Sequence, residues 1–96
     1  MSDFWQLEDF LARFDQWCEI DDPPTEIRAA VLVWMQQLMT NPFASAKMVP
    51  EFGLNAWFAV LPGTEDGNRQ VVSFFVVDPT TRTVRCSAIT FLRRPF

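Results

Sequence analysis

Hydrophobic positions change period part-way along this chain. Between residues 25 and 40, Ile27, Ala30, Val31, Trp34, Met35 and Leu38 recur every third or fourth position, and Leu32 and Val33 widen the stripe. That spacing predicts an amphipathic helix. The preceding Asp21-Asp22-Pro23-Pro24-Thr25-Glu26 suits a helix start. Carboxylates there meet the positive end of the helix dipole, and a proline in the first turn lacks only an N–H that has no helical partner. Asn41-Pro42 ends the element, because the residue before proline is pushed out of the helical region.

From residue 54 the period shortens. Residues 54–61, 70–77 and 83–92 read as strands. Residues 62–68 are dense in turn formers and read as a loop. Residues 78–82 form a tight connection, with Asp78 first and Pro79 second. Two short links between three strands predict an antiparallel meander. Residues 4–20 leave two alternatives. Phe4, Leu7, Phe10, Leu11, Phe14, Trp17 and Cys18 fall at helical spacing, yet 4–8 equally make a short strand ahead of a helix that starts near Asp9. Residues 43–53 are irregular, with room for one helical turn. The expected architecture is a single α+β domain over residues 1–96: two helices packed on a small antiparallel β-meander, with an N-terminal edge strand in the second alternative.

The strand at 70–77 is too apolar to have one wet face. Val71, Ser73, Phe75 and Val77 point one way, and Val72, Phe74 and Val76 the other. In unbroken alternation along 83–92, Val84, Cys86, Ala88, Thr90 and Leu92 oppose Thr83, Arg85, Ser87, Ile89 and Phe91. Two helices cover only one face. If Phe75 or Phe91 lies on the other, each adds ~150 Å² of aromatic surface. A partner, a second copy or the 43–53 segment then has to cover it.

Charge divides the chain in a similar place. Residues 1–26 hold eight of the twelve acids against one base, Arg13; residues 68–96 hold five of the eight bases against one acid, Asp78. The net charge of −4 argues against non-specific nucleic-acid binding. The two halves can also neutralise each other within the fold. Fourteen Trp and Phe residues among 96 exclude a disordered chain. No apolar run reaches the ~18 residues of a membrane span. Met1-Ser2-Asp3 lacks the basic flank of a signal peptide, so the expected location is cytoplasmic, with Cys18 and Cys86 reduced.

Little of the chemistry points to an enzyme. The chain has no histidine and no tyrosine, which removes Ser-His and Cys-His arrangements and the usual proton carriers near neutral pH. No Cys or His spacing suggests a metal, and three separated glycines make no phosphate cradle. No cofactor is expected. Asp21-Asp22 is explained by helix capping, and Glu65-Asp66 by a solvated loop tip. Among the tryptophans, Trp5, Trp17 and Trp34 fit a core, while Trp57 leads into the basic half. Arg93-Arg94 can grip phosphate or carboxylate, or form a solvated tail.

The run WQLEDFLARFDQW, a helix ending in LMTNPF, then WFAVLPG, VVSFFVVDPTTRTV and AITFLRRP resembles the RelE/ParE superfamily of toxin–antitoxin toxins. The resemblance spans almost the whole chain and implies a short edge strand, two helices and an antiparallel meander. It also implies an antitoxin segment or a target such as gyrase as partner. The positions that are basic in the ribonuclease members transfer poorly. Phe58 and Val60 stand on the first meander strand, Val71 stands near the start of the next with Arg69 two residues before, and only Arg93-Arg94 matches the basic pair after the last strand. Three readings follow. The first is a non-catalytic protein-binding module or homodimer that uses the sheet face, with Trp57, Arg69, Phe75, Arg85, Phe91, Arg93 and Arg94 as partner-binding candidates. The second is an active toxin with Glu51 or Asp66 as base, and the third an accessory domain.

Overall fold

The computed structural model describes residues 4–44 and 46–95. Met1-Ser2-Asp3, Ser45 of the irregular segment and the terminal Phe96 lie outside the described residues. The fold is α+β. A short strand β1 (Gln6–Glu8) leads into helices α1 (Phe10–Asp21) and α2 (Thr25–Thr40). A three-residue strand β2 (Ala46–Met48) and a 3-10 turn (Pro50–Phe52) follow, and then the meander β3 (Ala56–Asp66), β4 (Arg69–Asp78) and β5 (Thr83–Arg93). Sheet order is β1-β5-β4-β3-β2, with β1 parallel to β5 and the other pairs antiparallel.

Of the two alternatives for residues 4–20, the strand followed by a helix is the one adopted. Asp9 separates them in a left-handed conformation, φ 66°, which breaks any continuous helix. Phe4 and Leu11 are consequently exposed, and Phe10, Phe14 and Trp17 are the α1 residues that reach the core. On α2, Ile27, Val31, Trp34, Met35 and Leu38 are buried as expected, whereas Leu32 and Val33, expected to widen the stripe, are exposed.

Three features depart from the sequence expectation. Within 43–53, Ala46–Met48 pairs with β3 as an edge strand. Residues 62–66 belong to β3 and are not loop. The strand survives Pro62-Gly63 because the register opens between Val60 and Glu65, and Thr64 and Gln70 fill the gap. Thr64 Oγ1 donates to Leu61 O at 2.7 Å and accepts from Val71 N at 3.2 Å, while Gln70 Nε2 donates to Leu61 O at 3.0 Å. An irregularity of this size, four residues of β3 opposite Val71, interrupts the ladder without ending the strand when its polar groups are satisfied in this way. The turn shrinks to Gly67-Asn68, where Gly67 takes φ 64° at the first turn position.

The third feature is a bulge in β5. Phe74 pairs with Ala88 and Phe75 with Cys86, so Ser87 has no counterpart on β4. The extra residue reverses the alternation, and Ile89 and Phe91 join Val84 and Cys86 on the face that the helices cover. Phe75 lies at the centre of that face, 1% exposed. Its ring is 6.4 Å from Phe10 of α1 and 6.0 Å from Trp34 of α2, joining the two helices to the sheet. No described helix is long and apolar enough to cross a membrane.

Candidate functional site

The partner-binding candidates separate into three groups. Phe75 and Phe91 do not lie on the uncovered face; both point to the helices, and Phe91 packs 5.4 Å from Trp17. Phe75 is thus a core residue with no surface to offer. Trp57 also faces the helix side, half-buried, with its ring 4.9 Å from Phe43. The cause for Phe91 is the Ser87 bulge, which a reading based on strict alternation cannot anticipate.

Arg69, Arg93 and Arg94 come together at the β3–β4 turn. Arg69 and Arg93 are cross-strand partners. The Arg69 guanidinium lies 3.9 Å from the centre of the Phe91 ring and donates to Asp66 Oδ2 through Nε at 3.2 Å and Nη2 at 2.9 Å. Arg94 Nη2 reaches Gly67 O at 3.4 Å. Arg85 is not part of this cluster. Eight residues away along β5, roughly 25 Å at the rise of a strand, its Nη2 pairs with Glu8 Oε2 at 3.2 Å. The candidates Arg85, Arg93 and Arg94 therefore lie in two separate places. At Arg85 the acidic and basic halves of the chain do neutralise each other, and Arg82 lies 4.7 Å over the Trp5 ring.

The surface that does gather apolar groups is the outer face of the sheet, opposite the helices. Phe58 of β3 and Phe74 of β4 are cross-strand neighbours with rings 5.0 Å apart. Phe52 of the 3-10 turn folds over Phe74 at 5.4 Å yet remains 68% exposed. Val76 continues the patch, and a cleft of about 320 Å³ opens between Phe52 and the Ser87-Ala88 bulge. Lys47 on β2, opposite Phe58, and Arg85 on β5, opposite Val76, stand at its two margins. Phe58 and Phe74 are the residues that the sequence reading passed over. Their signal was present in the second apolar register of β4, but nothing marked which register the helices would cover.

Asp66 is held by Arg69, and Glu51 sits exposed on the 3-10 turn. Among the described residues no group of acids and cysteines could hold a metal ion. Cys86 is buried on the helix face, and its burial pushes the thiol up to about 11, with a contact to Ser73 Oγ at 3.9 Å opposing that shift. Burial also raises Cys18. Neither thiol is a poised nucleophile, since reactivity needs a lowered value. No protein-family model, curated protein or solved structure matches the chain.

Proposed function

We propose that this protein is a RelE/ParE-like binding module of the cytoplasm that holds an antitoxin-type segment of a protein partner against the Phe52–Phe58–Phe74 face and does not cleave RNA. The carrying observation is that aromatic face, on the side of the sheet opposite the described helices, where Phe52 and Val76 are exposed and Phe58 and Phe74 are half-buried. Aromatic side chains are enriched at interfaces. Lys47, at the β2 margin, favours an acidic residue at that end of the bound segment, Arg85 at the other margin being paired with Glu8. A short edge strand, two helices and a meander, in that order, also agree with what the resemblance implies. The missing histidine and tyrosine weigh against ribonuclease activity.

The test is co-expression of the tagged chain with the product of the neighbouring reading frame in its source genome. A stoichiometric complex that Phe58→Ser/Phe74→Ser abolishes and Arg93→Ala/Arg94→Ala preserves supports the reading. A complex indifferent to the two phenylalanines overturns it.

The second reading, an active toxin, draws on the cluster of Arg69, Arg93 and Arg94, which can position a phosphate. Induced expression that cuts ribosome-bound mRNA, relieved by Arg93→Ala/Arg94→Ala, would replace the first reading with this one.

A further inference from the structure

The edge of β5 is open for most of its length. β1 pairs with Thr83, Val84 and Arg85 and then stops, leaving the strand from Cys86 onward without a neighbour on that side among the described residues. Arg94 N donates to Asn68 O on the β4 side at 2.7 Å. By the alternation of an antiparallel ladder, Ile89 and Phe91 therefore turn their N–H and C=O toward the open edge. Such an edge is a template for an added strand.

Helix α1 runs above this edge in the direction of β5. Phe10 meets Phe75, which pairs with Cys86, and Trp17 meets Phe91 further along. Between helix and edge lies a slot of about 170 Å³, walled by Arg13, Gln16, Ile20 and Asp21 on one side and by the stretch from Ser87 to Thr90 on the other. Ile20 is 74% exposed beside it. Trp17 also lines the slot, and its indole Nε1 is the one buried side-chain donor among the described residues that lacks an acceptor. A buried donor left unpaired costs ~1–3 kcal/mol, and this one belongs to a residue that lines the slot.

We propose that the slot takes an extended segment of another protein as a sixth strand beside β5. The segment carries a carboxylate opposite Arg13, one medium-sized apolar side chain against Ile20 and Trp17, and a cation opposite Asp21. The volume fits a single such side chain, and the two charges fix the direction of the strand. A second copy is the wrong occupant. β5 and the residues after it hold Arg85, Arg93 and Arg94 and no acid, so antiparallel pairing of two β5 edges brings arginines of one copy against Arg13 of the other. The slot shares Ser87 and Ala88 with the cleft beside the aromatic outer face but none of its phenylalanines, and the proposal stands whether or not that face binds.

Selection of a random dodecapeptide phage library on the intact chain tests the proposal. The selected peptides, made synthetically, are expected to slow amide exchange at Ile89 and Phe91 by tenfold or more. Methylation of alternate peptide nitrogens lowers their affinity at least tenfold, while Phe58→Ser/Phe74→Ser leaves it unchanged. Arg13→Glu weakens binding, and exchanging the peptide's acidic residue for lysine restores it. Overturning results are peptides that protect β2 or β3 instead, binding that tolerates N-methylation, failure to select any peptide, or a concentration-dependent dimer that protects the same amides.

Discussion

Phe91 rests 5.4 Å from Trp17, on the covered face of the sheet, because Ser87 is an extra residue in β5. A residue that forces Ser87 into the ladder would turn Ile89, Phe91 and Arg93 over together. Deleting Ser87 instead closes the ladder with Cys86 still opposite Phe75 and Ala88 still opposite Phe74. Ile89 and Phe91 then keep the covered face, and the deletion is expected to cost less than truncating Phe91. Phe91→Ala, at a half-buried site, costs about 2–3 kcal/mol at the lower end of the aromatic range. Urea unfolding of the two variants checks the order. A deletion worse than Phe91→Ala would mean that the bend the bulge gives β5, and not only the facing of its side chains, holds the fold together.

Phe74 and Phe75 are neighbours in the chain with opposite destinations. Phe75, wedged between Phe10 and Trp34, is expected to lose about 3–5 kcal/mol on change to alanine. For a domain of this size that lowers Tm by about 12 °C or more. Phe74 retains solvent contact on the outer face, and Phe74→Ala is expected to cost about 1 kcal/mol. Calorimetry on both variants separates core from surface. Equal losses would place the outer face in the stability of the monomer and not in binding.

Cys86 makes the fold sensitive to alkali. Burial disfavours the thiolate and pushes this thiol up from 9.0 to about 11. Between those values the unfolded chain gives up a proton that the folded chain keeps. The contribution of this group is thus fully present below about pH 9 and falls as pH rises toward 11, by up to about 2–3 kcal/mol. Denaturation midpoints at pH 8.5 and 10.5 are expected to differ less in Cys86→Ala than in the parent chain. A native protein treated with a thiol reagent at pH 8 is expected to react first at the partly exposed Cys18. Rapid modification of Cys86 would contradict its burial.

Which elements were legible follows from where their determinants lie. Helix α2 was plain because its stripe, its acidic and proline-rich start and its Asn-Pro stop are all local. The meander was equally plain, since Asp78-Pro79 and Gly67-Asn68 are turn signals in themselves. β1 left two alternatives because its pairing is with Thr83–Arg85, more than seventy residues away. The Pro62-Gly63 stretch read as loop because the side chains that keep it in the sheet, Thr64 and Gln70, act through hydrogen bonds that no hydrophobic pattern records. The candidate surface suffered most from one residue. The Ser87 bulge decides where Phe91 points, and β-bulges leave no periodic trace. Arg69 and Arg93 are cross-strand partners near the β3–β4 turn, and the length of β5 separates them from Arg85, which no local pattern of charge records.

β1 owes its position to Trp5 more than to the ion pair beside it. Trp5 is buried, its N–H donates to Met39 O at 2.7 Å, and Arg82 lies over its ring. The Glu8–Arg85 pair is 3.2 Å long but more than 40% exposed on both sides, and pairs of that kind contribute under about 1 kcal/mol and weaken with salt. Glu8→Gln is thus expected to shift stability by less than about 1 kcal/mol, and by less still at 1 M salt. Trp5→Ala is expected to cost about 3 kcal/mol and to free the edge of β5 that β1 covers. Amide exchange at Val84, whose register partner is Leu7, reads both effects. Faster exchange in Trp5→Ala with little change in Glu8→Gln is the expected result, whereas the reverse order would make the ion pair, not the buried indole, the clasp of the edge strand.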